Sequence, residues 1–307
     1  MAKSLTPSRA EPRPSGAHQL WSPSLVKLSH ALPFSQHIIP PQGDVCISQD
    51  SPNEHAQKYP NLASGNLNGT TLIVPIPLTT ARQLIPSEYG IVEKAYKALL
   101  PSFPDGMYPM MAQIVHDHDI QLPAYNASLS DFTRASLEFP FLDIFGNGYS
   151  SFRWVGTSMI SASNPLAIEA SQGYGMAIHP AVFDPLCDAY SALPSGATYA
   201  RSWSANGTRG AFMAIEALPS PRTVPYPLDF FRNITNQPVF SNTQVCDHYL
   251  RLFNTSLTTG ATAPVPVVGK VSTNLEPLAR SHSWDAVYGW RLATPFLEPP
   301  TPSDCYP

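Results

Sequence analysis

Charge is scarce in this chain. Asp, Glu, Lys and Arg together make up 13% of its 307 residues, roughly half the usual share. The formal net charge is −4, so no basic surface argues for nucleic acid or an anionic membrane. No apolar run approaches the roughly 20 residues that span a bilayer as a helix. The opening MAKSLTPSRAEPRPSGAH lacks the apolar stretch of a secretory signal. Cysteine is sparse too: Cys46, Cys187, Cys246 and Cys305 show no C-x-x-C spacing. This pattern reads as four reduced thiols in a cytoplasmic protein without a zinc site. Asn68, Asn126, Asn206, Asn233 and Asn254 begin N-x-S/T sequons. In a cytoplasmic chain rich in Ser and Thr these count as chance matches. Walker A, Rossmann, G-x-S-x-G and H-E-x-x-H patterns are all missing. No cofactor is implied.

What is present is hydrophobic residue, at 43%, and 34 prolines. That is a globular composition with a sizeable core. Residues 1–62 are rich in Pro, Ser and His without periodicity and read as an arm. Residues 63–307 read as one domain. Thr70–Ile76 is an apolar β-branched run, and Thr79–Leu84 and Val92–Leu100 have helical spacing. Met110–Val115, Ser151–Ile160, Ala211–Leu218, Val265–Ser272 and Ala286–Leu292 read as strands between Gly, Pro, Asn and Ser clusters. Gln244–Leu252 reads as a late helix. The expected class is mainly β, an antiparallel sheet or barrel with few helices.

Four segments resemble acetoacetate decarboxylases. Asn164–Pro180, NPLAIEASQGYGMAIHP, is similar to the N-E-P-A-I run that precedes that family's Y-P-K-K. Ile73–Ile91 resembles its early strand and helix, Tyr108–Asp117 its F-E-I-M-A-M-H-D strand, and Ser281–Pro295 its closing strand. The resemblance covers about residues 68–297 in order. It implies a cone-like β-barrel around a central apolar cavity, and a homo-oligomer.

The same alignment shows what is missing. Ungapped counting places His179 and Pro180 where the family has its two lysines. The family's glutamate falls on Met111, and its arginine near Leu67. After residue 60 the only lysines are Lys94, Lys97 and Lys270. Imidazole cannot form the iminium that drives amine-mediated decarboxylation. The resemblance therefore points away from Schiff-base chemistry unless Lys270 supplies the amine.

The candidate catalytic residues are His179 as a proton shuttle, Arg153 as a carbonyl or enolate clamp, and Glu169 and Glu216 as acid or base. Each competes with a bland alternative: a loop histidine, a surface arginine, or a solvent-facing glutamate. Glu138, between Leu137 and Phe139, is weighed in the same way. Met111, Trp154, Tyr174, Met176 and Trp290 are candidates for the substrate pocket, with Tyr149 and Trp284 as further aromatic wall. His116 and His118 alternate as strand neighbours, yet no third metal ligand is evident. The resulting expectation is an enzyme acting without Schiff base on a small apolar, polyketide- or terpenoid-like carbonyl compound. Cyclisation, dehydration, isomerisation and a Diels–Alder type addition all fit. A β-keto acid decarboxylase and a non-catalytic small-molecule binder are the alternatives.

Overall fold

In the computed structural model, residues 46, 52–205, 210–221, 224–243 and 245–306 are described. Nine strands close into a barrel: β1 (Ala63–Pro77), β2 (Met107–Leu122), β3 (Phe132–Asp143), β4 (Thr157–Ser161), β5 (Ala177–Asp184), β6 (Thr198–Ser204), β7 (Phe212–Pro219), β8 (Val265–Asn274) and β9 (His282–Glu298). Around the ring they run β3-β4-β5-β6-β7-β8-β9-β1-β2, and β2 pairs back onto β3 to close it. Four short helices flank the barrel: α1 (Leu78–Leu84), α2 (Glu93–Leu99), α3 (Pro165–Gly173) and α4 (Leu228–Thr235).

All neighbouring barrel strands are antiparallel except β4 and β5. A parallel pair needs a crossover, and α3 lies in it. The local sequence starts that helix in the usual way. Asn164 caps it by accepting from the Ala167 amide at 3.0 Å, and Pro165 occupies the first turn.

Strand alternation separates two faces. Leu72, Ala112 and Leu137 lie opposite one another across β1, β2 and β3, and all are buried. Met159, Phe183, Met213, Ile215 and Val271 continue this face around the ring. On β7 and β8 the opposite face carries exposed Glu216 and Lys270, so the apolar face is the bore. The bore face is made of buried apolar side chains of the main core cluster. At the β1–β9 contact the backbones approach so closely that a Cβ on Gly289 would collide with the Thr71 carbonyl.

Outside the wall formed by β9, β1, β2 and β3 lies a second layer. It contains α4 and the short strands Phe152–Trp154, Val239–Phe240, Cys246–Asp247 and Leu250–Arg251. Two sequence expectations fail here. Ser151–Ile160 is two strands, because the chain breaks at Val155–Gly156 and the halves join different neighbours. Gln244–Leu252 is not a helix: Cys246 pairs with Phe240, and Leu250 and Arg251 pair with Leu297 and Phe296.

The cysteines are disulfides, not thiols. Cys46 joins Cys187 with Cα atoms 5.2 Å apart, and Cys246 joins Cys305 at 4.8 Å. The cysteine argument for a cytoplasmic setting falls with them. Of the expected arm over 1–62, residues 46 and 52–62 are described, and the others lie outside the described residues. Ala56 is buried, and Asn53 Nδ2 donates to the carbonyl oxygens of Ser64 and Asp119.

Candidate active site

A cavity of about 310 Å³ opens between the outer wall of the barrel, α3 and the C-terminal segment. That volume is at the lower end of the range for small-molecule sites. Its apolar part includes Ile120, Phe132, Val155, Ile160, Val239 and Phe296. Its polar part combines Arg134, Ser136 and Glu138 from β3 with Asp117 from β2, Arg153, Asp247, Tyr174, Tyr249 and Glu298.

The β3 residues arrive there by alternation. Ala135 and Leu137 point into the bore, so Arg134, Ser136 and Glu138 point outward. On a half-exposed sheet they would meet water. Here the second layer buries Glu138, leaving it 2% exposed. Its partners offset the desolvation. Arg153 Nε lies 3.1 Å from Glu138 Oε2, while Ser136 Oγ donates to Oε1 at 2.6 Å and Gln113 Nε2 at 2.5 Å. Arg251 Nη2 donates to Gln113 Oε1 at 3.2 Å, which extends the network. Burial alone would raise the Glu138 carboxyl. Arg153, Ser136 and Arg134 outweigh it and hold the group ionised below its ordinary range. Arg153 is lowered by its burial, with Glu138 opposing. Alongside, Arg134 Nε donates to Asp117 Oδ2 at 2.8 Å.

Across the cavity the two remaining carboxyls behave differently. Burial pushes Asp247 up to about 6, against the Tyr249 amide, which donates to Oδ1 at 2.8 Å. Burial and the nearby Asp247 raise Glu298 well above the carboxylate range. Tyr174 Oη donates to Glu298 Oε1 at 3.0 Å, and burial beside Glu298 raises the phenol as well. One cavity therefore holds an ionised glutamate paired with a guanidinium, an aspartate whose carboxyl burial raises to about 6, and a glutamate raised well above its ordinary range beside a phenol.

Of the nine residues proposed from sequence, Arg153, Tyr174 and Met176 line this cavity. Met111 is fully buried on β2, directly opposite Glu138. Trp154 turns away from Arg153, packs on Phe139 at 5.3 Å and donates from Nε1 to the Ser241 carbonyl. Trp290 donates to the Tyr226 carbonyl. Glu169 is exposed on α3, and Glu216 is exposed opposite Lys270. His179 shares a strand face with Ala181 and Phe183 at one end of the bore. There its Nε2 is 2.9 Å from Glu276 Oε2. Tyr149 is exposed, and Trp284 stacks on His282.

Lys270 pairs with Asp285 at 3.3 Å on the surface, which removes it as a cavity amine. His116 Nδ1 is 2.9 Å from Thr133 Oγ1. Among the described residues, no group of three or more His, Cys, Asp or Glu side chains is placed to hold a metal. The sequence reading missed Asp117, Arg134, Asp247, Tyr249 and Glu298. Only β3 carried a local signal, in its polar residues at every second position.

No family model matches the chain, and no curated protein matches it. Among solved structures, an acetoacetate decarboxylase-like enzyme from Sphingomonas wittichii RW1 aligns with a TM-score of 0.45 at 7% identity. The alignment covers 79% of this chain and 92% of that one. The enduracididine biosynthesis enzyme MppR complexed with pyruvate aligns at 0.43 and 10% identity, covering 82% and 89%.

The buried pair gives a direct stability test. Arg153→Met should destabilise the fold by about 3–5 kcal/mol, because it strands a buried carboxylate. Adding Glu138→Gln should recover much of that loss in urea unfolding, since Gln still accepts from Ser136. Equal losses in the single and double variants would contradict the pairing.

Asp247 and Glu298 predict a pH trend of opposite sign to the usual carboxylate. Their folded values lie above the ordinary 3.8 and 4.5. Below both values each state is protonated. As pH rises, the unfolded chain ionises first, so stability falls from about pH 4 upward, through about 6 for Asp247. Glu298→Gln should flatten this decline in thermal melts. An unchanged slope would show that Glu298 is ionised like an exposed glutamate.

Proposed function

We propose that this chain is an acid–base enzyme acting on a small, largely apolar carbonyl compound, without a Schiff base. The observation that carries the proposal is the split proton affinity of Asp247 and Glu298 within one cavity. Pairs of carboxyls pushed apart by their surroundings serve as base and acid at a single pH. Asp247, titrating near 6, suits removal of a proton α to a carbonyl. Glu298 and Tyr174 suit donation to the oxygen that becomes negative. Arg153 supplies positive charge on the same wall, and preorganised donors of this kind lower the energy of an enolate.

Within the reactions open to such a site, dehydration, isomerisation and aldol-type cyclisation use these groups directly. A pericyclic addition would need only the shape of the apolar wall. Decarboxylation through an amine finds no support, since no lysine among the described residues lines the cavity. Lys58, Lys94, Lys97 and Lys270 all lie at the surface.

The test uses a small aryl 1,3-diketone as probe and follows exchange of its α-protons in D₂O by NMR. Exchange should exceed the buffer rate and rise with pH through about 6. Asp247→Asn should lower it by about 100-fold or more, while His179→Ala leaves it unchanged. A diketone that binds but exchanges at the buffer rate would favour a binding protein. Full exchange in Asp247→Asn would remove the base assignment.

A further inference from the structure

We propose that this chain matures in an oxidising secretory compartment and carries N-linked glycans at Asn126, Asn233 and Asn254. Two independent observations meet here, and they run against the cytoplasmic setting expected from the opening residues. The first is the pair of disulfides, Cys46–Cys187 and Cys246–Cys305, which span 141 and 59 residues. No described cysteine is left free. Bridges between such distant positions persist where thiols are not continually reduced. Each bridge forms as a thiol pair gives up two electrons and two protons, passed by exchange to an external protein disulfide.

The second observation is where the sequons fall. Asn126-Ala-Ser128 sits at the end of a short turn, with Asn126 exposed and its backbone in the left-handed region at φ 47°. Asn254-Thr-Ser256 is likewise exposed, with φ 64°. Asn233-Ile-Thr235 is on α4, and Asn233 faces out while Thr235 is buried against the Phe231 carbonyl. Each of these asparagines can carry a bulky polar glycan without disturbing the core.

Asn68 is different. It lies half-buried in β1, opposite His116 and Ala293 inside the sheet. A glycan there would break the barrel wall, so chains modified at Asn68 cannot reach this fold and the folded protein carries none at that position. Asn206 lies outside the described residues.

The transfer uses a lipid-diphosphate-linked oligosaccharide as co-reactant. The Asn amide nitrogen forms a bond to the anomeric carbon as the bond from that carbon to the diphosphate oxygen breaks. The lipid diphosphate leaves, and the amide loses one proton to solvent. Sequon chemistry occurs on the nascent chain, so the Thr235 hydroxyl is available before folding buries it.

The experiment takes the full-length protein from the cells that make it, purified without reductant and alkylated before digestion. Peptide mapping should find Cys46 linked to Cys187 and Cys246 to Cys305. A peptide-N-glycosidase should convert Asn126, Asn233 and Asn254 to Asp, and leave Asn68 as Asn. Asn126→Gln and Asn254→Gln expressed in the same cells should each remove one glycan's worth of mass on a gel. Cysteines alkylated without reduction, or unmodified Asn126 and Asn254 peptides, would overturn the proposal. A glycan on Asn68 would overturn its structural basis.

Discussion

The ion pair between Glu138 and Arg153 is the constraint on which the site depends. Glu138 belongs to the outer face of a barrel strand, where a glutamate normally meets water. Covering that face removes the water, and an unpaired carboxylate would then cost several kcal/mol. Arg153, Ser136 and Gln113 satisfy it instead. Their geometry is set by the second layer: Arg153 comes from the strand Phe152–Trp154, which runs parallel to Val239–Phe240. The layer and the pair therefore support one another. The space left between them is the cavity, polar around Arg134, Ser136 and Glu138 and apolar where Phe132 and Phe296 face it.

The opposite wall is held by covalent means. Cys246 is bonded to Cys305, and its backbone exchanges hydrogen bonds with Ser303 at 2.7 and 3.3 Å. Asp247 follows Cys246 directly, and Pro299, Pro300 and Pro302 of the C-terminal segment line the cavity. Glu298 ends β9 just before those prolines. The disulfide thus holds close together the two segments that carry Asp247 and Glu298. Burial raises both carboxyls, and the nearby Asp247 raises Glu298 further. Chain fixation and proton affinity are linked through one bridge.

Much of the barrel was legible in local pattern. The apolar runs near 70–76, 110–115, 211–218, 265–272 and 286–292 all fall within strands. The site was far less legible, for a physical reason. In β3 the sequence Arg134-Ala135-Ser136-Leu137-Glu138 alternates as a strand with one wet face would. Nothing local says that a second layer, built partly from residues 228–251, covers it. Asp247 and Glu298 are about fifty residues apart and meet only through sheet pairing and a disulfide. The Gln244–Leu252 segment has apolar residues at helical spacing, but Cys246 and Arg251 are committed to strand partners, and tertiary pairing overrides local preference. Counting along the family resemblance led to His179, which the fold places beside Glu276 at one end of the bore. The polar chemistry lies instead on the outer wall, across β2 from where the family's glutamate would align: Met111 faces Glu138.

The raised Glu298 carboxyl predicts that this cavity holds a protonated carboxylic acid at neutral pH while its neighbours are ionised. Infrared difference spectroscopy of the intact protein against Glu298→Gln at pH 7 tests it most directly. A carboxylic acid C=O band, shifted on exchange into D₂O and lost in Glu298→Gln, is the predicted result. A difference spectrum showing only the loss of carboxylate bands would contradict the account, because Glu298 would then be ionised and the cavity would have no resident acid.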